Sequence, residues 1–383
     1  MDGFRPETWT ISSNEALKIS IIDEEDKAIQ FKPLFTYPIY GDKEEIFGFK
    51  DLVIHLVFDS ITMKPFLNIK CESILNDDVS IERDVKEKIM KFLPVDDIIY
   101  KDEIKWIDCF QDERSRYTLP DSKFKVDEYE LKGEIFGVYK FKLNGYSDNK
   151  INKLFKRIQI FTLLFIEAAT YINYEDEPNW ELYVTFNMQN KKFIGFATSY
   201  KYWQYEGNET FDKDTRYKYN GKISQFLILP PYQHCGHGSL LYESLYKGWL
   251  KDDGIIEITV EDPNENFDDL RDRNDLKMLS REGFFQELYD KVDEKELLDT
   301  EWIDDKRLKY KIEKRQFDRI IEMILLHMGL VTNFERQVKM RIYLKNYESL
   351  MEFEDDEDKK NAIMQSFDLL KEDYERILSA CEF

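Results

Sequence analysis

The sequence predicts an α/β (α+β) protein with mixed sheets: an N-terminal α/β domain, a central α/β core and a C-terminal helical domain. Paired apolar runs with turn residues between them fill the first third, the pattern of antiparallel hairpins. A strand–loop–helix–strand succession occupies the centre, and the last ~90 residues carry helical periodicity without strand alternation. At 383 residues the chain exceeds one ordinary core of roughly 100–200 residues. Boundaries are expected to give domains at 1–145, 146–280 and 281–383.

In the N-terminal part, residues 52–58 and 66–71 read as a hairpin. Residues 85–93 read as a short helix stopped by Pro94, whose ring cannot continue it. Residues 128–131 and 135–143 form a second candidate hairpin around Lys132 and Gly133. A strong helix opens the central part. Ile151, Leu154, Phe155, Ile158, Phe161, Leu164, Phe165, Ala168 and Ile172 recur at about 3.6-residue spacing, and Asp148 or Asn149 could cap the helix. Strands follow at 180–186 and 193–203, then a polar loop at 204–220 and a third strand at 222–229. A helix over 239–250 leads to a fourth strand at 255–260. The C-terminal part gives helices near 306–328, 333–347 and 359–380, the last two separated by the acidic run 352–358.

Hydrophobic residues make up 42% of the chain and aromatic residues 15%, ample material to bury. A net charge of −22 repels a phosphate backbone, so nucleic-acid binding is not expected. The same field would attract and steer a Lys/Arg-rich partner, although solubility is its simplest use. Cys71, Cys109, Cys235 and Cys381 include no CxxC pair, which fits a reducing compartment. The residues after Met1 show no apolar signal core. The most apolar stretch, 158–172, contains Gln159 and Glu167 and falls short of the ~20 residues of a membrane span. A soluble intracellular protein without membrane contact is expected.

The chemistry concentrates in the loop Gln233-His234-Cys235-Gly236-His237-Gly238, between an apolar strand and an amphipathic helix. Glycines there let main-chain N–H groups turn inward, and the helix dipole adds favourable potential for an anion. No lysine follows to make a P-loop, and Gly-x-Gly-x-x-Gly is not met. His234, Cys235 and His237 could suggest zinc, but His55 and His327 supply no second cluster, and no metal is expected. Cys235 reads as loop packing rather than an acyl-carrying nucleophile. What does match is Gln/Arg-x-x-Gly-x-Gly/Ala, the coenzyme A diphosphate loop of the GCN5-related N-acetyltransferases. Glu261, ending the strand after the helix, is placed to act as a base, because a lysine nucleophile must first lose a proton. Asp262-Pro263-Asn264-Glu265 has the form of a helix start with Asp262 as N-cap.

Ile223-Ser-Gln-Phe-Leu-Ile-Leu-Pro-Pro-Tyr-Gln-His-Cys-Gly-His-Gly-Ser, followed by Ile258-Thr-Val-Glu-Asp-Pro-Asn-Glu, resembles the type B histone acetyltransferase catalytic subunits. Phe35-Thr-Tyr-Pro-Ile-Tyr-Gly and Tyr200-Lys-Tyr-Trp resemble them too, in the style of a fungal member. The resemblance implies a mixed-sheet GCN5-related acetyltransferase core, acetyl-coenzyme A as co-substrate and Glu261 as general base. It implies that the backbone of Phe226, Leu227 and Ile228 runs along the pantetheine arm. Gln233, His234, Cys235, Gly236, His237, Gly238 and Ser239 would enclose the diphosphate, and Asn264 and Arg273 would touch the cofactor. Arg273 could instead pair with Asp269 or Asp272 on its own helix.

By the same resemblance, Glu44, Glu45 and Ile46, with Trp180, Trp203 and Tyr205, would form an acidic and aromatic groove for a histone tail. Taken alone, Trp180 and Trp203 fit sheet packing equally well, and Glu44 and Glu45 read as a solvated turn. The expected reaction is acetylation of lysines in the tail of newly made core histones, mainly histone four. A WD-repeat histone-binding subunit would dock around 204–220, and residence in both cytoplasm and nucleus is expected. Two alternatives are an acidic histone chaperone with a decayed transferase site and a small-amine acetyltransferase. The intact glycines and Glu261 weigh against the first, and the large flanking domains against the second.

Overall fold

The first apolar runs pair into sheets whose strands bury alternate residues. A computed structural model describes residues 5–23, 25–143, 149–174, 179–205, 207, 218–293 and 296–383. The chain divides into two units, residues 1–201 with 223–244 and residues 202–222 with 245–383. In the first unit, β1 (Thr10–Ser12) pairs with β4 (Glu45–Phe47), and β5 (Phe49–Lys50) with β8 (Ser73–Ile74). A five-stranded sheet combines β3 (Ala28–Phe31), β2 (Leu17–Ile22), β6 (Val53–Asp59), β7 (Pro65–Lys70) and β9 (Ile99–Tyr100), in that order. The hairpin expected near 52–71 is β6–β7, antiparallel. The helix expected at 85–93 begins earlier, as α3 (Val79–Met90), because Asp78 caps it by accepting from the Ser80 N–H. The short helices before it are α1 (Ser13–Ala16) and α2 (Tyr37–Tyr40), and α4 (Glu103–Arg116) follows.

A second sheet runs β10 (Lys125–Leu131), β11 (Glu134–Leu143), β12 (Trp180–Asn187), β13 (Phe193–Trp203) and β14 (Tyr219–Ile228). β10, β11, β12 and β13 pair antiparallel in succession, and β10 turns into β11 through Lys132 (φ 53°) and Gly133 (φ 82°). The hairpin grouped above with the N-terminal domain therefore supplies two strands to the sheet of the core. The boundary expected at 145, and the cap expected from Asp148, lie outside the described residues, as does the Asn149 side chain.

Helix α5 (Asn149–Phe165) joins residues of both sheets in one apolar core. Phe161 packs on Phe58 of β6 at 4.7 Å between ring centroids, and Leu182, Val184 and Phe186 of β12 belong to the same core. The apolar periodicity reads on to Ile172, but the helix stops at Phe165. The Leu164 carbonyl accepts from the N–H groups of Leu34 (2.9 Å) and Phe35 (3.1 Å), and Ala168 takes φ 57°. A partner from elsewhere in the fold thus replaces the next helical turn.

One charged residue of α5 is buried with it. Arg157, 3% exposed, bonds Asp97 (2.5 and 3.0 Å), Glu113 (3.0 Å) and the Thr62 carbonyl (2.6 Å). Lys64 reaches Asp97 at 2.7 Å as well. Although burial works against the charge, the Arg157 guanidinium and the Lys64 ammonium hold the Asp97 carboxyl well below the usual carboxylate range.

The second unit holds the ends of β13 and β14, with β15 (Ile255–Val260) beside β14, and a run of helices. These are α7 (Glu265–Arg281), α8 (Phe284–Tyr289), α9 (Thr300–Tyr310), α10 (Lys314–His327), α11 (Val331–Lys345), α12 (Tyr347–Met351) and α13 (Asp356–Ser379). The helix expected over 306–328 is broken in two. Lys311 adopts φ 53°, its carbonyl accepts from the Ile258 N–H at 2.7 Å, and Glu313 caps α10. Helical periodicity gives way there to a bridge between Ile312 and Ile258 of β15. Buried ion pairs tie the helices. Asp272 of α7 accepts from Gln316 (2.8 Å) and Arg319 (2.7 Å) of α10. Glu322 of α10 accepts from two nitrogens of Arg341 of α11, each at 2.7 Å, and from the Tyr374 hydroxyl of α13 at 2.7 Å. Among the described residues, no helix is long and apolar enough to cross a membrane.

Removing Arg157 would leave Asp97 and Glu113 without their guanidinium. Arg157→Leu should lower the unfolding free energy by about 3–5 kcal/mol, the usual loss when one partner of a buried pair is deleted. Urea denaturation followed by circular dichroism measures it.

Candidate active site

The turn after β14 is built from its own backbone and from β10. Pro230–Tyr232 makes one 3-10 turn, and the Gln233 side chain returns to the β14 end, donating from Nε2 to the Ile228 carbonyl at 2.8 Å. His234 takes φ 56° and Gly236 φ 102°. A side chain at Gly236 would meet only Leu131, at 3.5 Å, so this glycine answers to backbone conformation rather than to crowding. Helix α6 (His237–Leu250) then begins, and the Leu240 N–H reaches the Gly236 carbonyl at 3.2 Å. Helix geometry gives the N–H groups of His237 and Gly238 no intrahelical acceptor, and the dipole adds positive potential there. That arrangement can hold an anion.

Alternate residues of β10 meet this turn and α6. Asp127 accepts from the Ser244 hydroxyl at 2.8 Å, the Tyr129 hydroxyl lies 2.8 Å from His237 Nδ1, and Leu131 is the side chain nearest Gly236. Residues 127, 129 and 131 share one face of the strand because side chains alternate. Lys132, next along, places its ammonium 3.8 Å from Cys235 Sγ. His237 is 5% exposed and stands edge-on to Phe136 at 4.6 Å, so its side chain anchors the helix start while its main chain belongs to the turn. Burial pulls the imidazole below the ordinary histidine range, Lys132 adds to this, and Glu134 opposes it. These partners on β10 were missed by the sequence reading. Alternation shows that 127, 129 and 131 share a face, but not what they meet.

On β14, Phe226 is half-buried and Leu227 and Ile228 are buried. Gly195 of β13 lies against them. A Cβ at Gly195 would stand 2.5 Å from the Leu227 carbonyl oxygen and 2.9 Å from the Ile228 Cα. This glycine, also missed from sequence, permits a close backbone crossing. Gly238 and Ser239 are half-buried in the first turn of α6.

In the second unit, Glu261 follows β15 directly and is exposed. Asp262 adopts φ 37° and is not the helix cap expected from sequence. Asn264 is: its side chain accepts from the Phe267 N–H at 3.0 Å. A left-handed residue cannot supply the extended N-cap geometry, so the cap moves two residues on. Arg273 leans on Asp269 at 3.5 Å.

The residues expected at a tail groove have different surroundings. The Glu44 carboxylate accepts from the N–H groups of Thr36 (2.6 Å) and Tyr37 (3.0 Å) and from Asn14 (2.8 Å), and these bonds outweigh burial and hold it below the usual carboxylate range. Glu45 is exposed on β4, while Ile46 is buried in the core opposite Ile11. Trp180 is buried and packs on Tyr200 at 4.7 Å. Trp203 and Tyr205, in the second unit, are 46% and 50% exposed and pair at 5.3 Å. Among the described residues, no group of three or more His, Cys, Asp or Glu could hold a metal ion.

Residues 151–268, from α5 through β15 and Glu261, match the acetyltransferase (GNAT) family, which defines an acyltransferase class that uses acetyl-coenzyme A. Residues 9–167 match histone acetyl transferase HAT1 N-terminus, and residues 272–329 match fungal HAT1, C-terminal. The histone acetyltransferase type B catalytic subunit of Candida glabrata is 53% identical over 383 residues, covering 100% of this chain and 96% of that protein. Counterparts of the same description from Kluyveromyces lactis and Eremothecium gossypii are 48% and 47% identical, each over 98% of this chain and over 93% and 92% of their own lengths. The chain belongs to the type B histone acetyltransferase catalytic-subunit family.

Gly195→Ala should destabilise the protein by about 1–3 kcal/mol, since backbone rather than a flexible side chain must give way. Thermal melting of the purified variant tests this. A pH effect follows from His237. The unfolded chain binds a proton on this ring near 6.5 and the folded chain only at lower pH. Stability is therefore full above that value and falls as pH drops below it. Melting curves between about pH 7.5 and pH 5.5 should show a smaller decline for His237→Gln than for the unmodified chain.

Proposed function

We propose that this chain transfers acetyl from acetyl-coenzyme A to lysine side chains in the N-terminal tail of newly synthesised histone four, with Glu261 accepting the proton. The observation that carries the cofactor part is the start of α6, entered through Gly236 and held against β10. The turn fits a diphosphate: it offers main-chain donors, a helix dipole and an uncrowded glycine. Gln233, His234, Cys235, Gly236, His237, Gly238 and Ser239 would hold that diphosphate, with Phe226, Leu227 and Ile228 along the pantetheine arm. Asn264 already caps α7 and Arg273 already leans on Asp269, so each would contribute only its remaining donors. Acetyl-coenzyme A supplies an acetyl group activated as a thioester.

A lysine ammonium, with a pKa near ~10.4, must become an amine before it can attack. Glu261, exposed at the end of β15, is the carboxylate we assign to that proton. For the tail, exposed Glu45 and the exposed pair Trp203 and Tyr205 supply a carboxylate for basic side chains and aromatic faces for lysine stems. The Glu44 carboxylate is already bonded and Ile46 and Trp180 are buried, so these three would support their own neighbours rather than meet the tail. The relatives' description as catalytic subunits supports a separate partner. We assign that role to a WD-repeat histone-binding protein docked around 204–220, of which 206 and 208–217 lie outside the described residues. We place the enzyme in both cytoplasm and nucleus, where newly made histones are met.

Glu261→Gln should keep acetyl-coenzyme A binding by calorimetry while losing about 100-fold or more in turnover on a histone four tail peptide. Near-unchanged turnover at saturating substrates rules out the base assignment. Peptide binding without any acetyl transfer by the unmodified chain would favour an acidic histone chaperone instead.

A further inference from the structure

Helices α11 and α12 present an apolar stripe to solvent. Met340, Leu344, Tyr347 and Met351 are 41%, 65%, 49% and 45% exposed. Their spacing of four, three and four residues is that of one helix face in a coiled-coil seam. The helical hydrogen-bond pattern carries across the junction: the Asn346 N–H reaches the Ile342 carbonyl at 3.0 Å, and the Leu350 N–H reaches the Asn346 carbonyl at 2.8 Å. The four side chains therefore stay on one side of a nearly continuous helix. The opposite side is already used. Phe334, Val338 and Ile342 are buried, and Phe334 packs on Phe367 (5.5 Å) and Tyr374 (6.4 Å) of α13. The stripe is thus an extra face, not the underside of the bundle.

Two features of this face identify its occupant. The spacing four-three-four reads the same in both directions, so an antiparallel copy sets Met340 against Met351 and Leu344 against Tyr347. Charge reverses about the same midpoint. Before it lie Arg336, Lys339, Arg341 and Lys345 with one carboxylate, Glu335, and after it lie Glu348, Glu352, Glu354 and Asp355, within a chain that is otherwise strongly acidic. A two-fold interface needs a patch complementary to itself, and an antiparallel copy brings the basic half of each seam over the acidic half of the other. A parallel copy would set like charges together. We propose that α11 and α12 form an antiparallel homodimer seam between two copies of this chain.

Sedimentation equilibrium of the full chain in about 0.15 M salt tests this, because a Debye length of ~8 Å screens the long-range repulsion of the −22 charge. Between about 1 and about 200 µM a reversible monomer–dimer equilibrium is expected. Leu344→Glu should weaken the dimer by about a hundredfold or more, as each dimer loses two buried leucines and gains two carboxylates. Leu369→Glu, at a 68% exposed leucine on α13, should leave the equilibrium unchanged. The antiparallel register has its own readout: an equimolar mixture of Leu344→Glu and Tyr347→Lys chains should regain dimer, since the new glutamate faces the new lysine. A chain that stays monomeric throughout overturns the proposal. So does a dimer indifferent to Leu344→Glu, or a mixture that does not recover.

Discussion

Asp127, Tyr129 and Leu131, on one face of β10, meet Ser244, His237 and Gly236, and the position of the turn that follows β14 rests on those contacts. A helix N-terminus can bind an anion only if its N–H groups are aimed and kept so, and an exposed loop cannot do that alone. Here the aim is set from outside the loop. The register of β10 is fixed by its pairing with β11, and that pairing by the turn at Lys132 and Gly133. A slip of one residue would turn 127, 129 and 131 to the other side of the sheet and release the start of α6. His237 shows how closely anchor and site are joined: its buried ring is the anchor, and its backbone is the first residue of the helix.

Both units meet the cost of buried charge in the same way. The chain is strongly acidic, yet it places guanidinium groups against carboxylates where helices must be fixed. Arg157 serves α5 in the first unit, and Arg319 and Arg341 serve α7, α10, α11 and α13 in the second. A buried carboxylate without its partner is far more costly than the pair, so these contacts allow few alternative packings of the helices. The observed arrangement explains why α7, polar along much of its length, is nonetheless buried at Arg271, Asp272, Asn274 and Asp275. Its partners are polar too.

Local elements were legible in the amino-acid order wherever one signal was unopposed. Apolar runs bounded by turn residues marked β6, β7, β10, β11, β12 and β13, the 3.6-residue period marked α5, and the Gly-x-Gly turn between strand and helix marked the cofactor class. Local signals erred where a distant partner overrode them. Periodicity ran α5 past Phe165, where Leu34 and Phe35 cap it, and ran through Lys311, where a carbonyl was wanted by Ile258 of β15. Cap chemistry favoured Asp262, but the left-handed turn there passed the role to Asn264.

Packing between distant segments settles which side chains are spent on holding and which remain for use. Glu44 and Glu45 are neighbours of one type, yet one is bonded to Thr36, Tyr37 and Asn14 and the other is exposed. Trp180 and Trp203 both lie at strand ends, yet one is buried on Tyr200 and the other stands open beside Tyr205. Gly195 shows its purpose only when Leu227 is seen crossing it. Residue type and spacing set what a side chain can do, whereas burial and hydrogen-bond partners, which come from segments far apart in sequence, set what it is left to do.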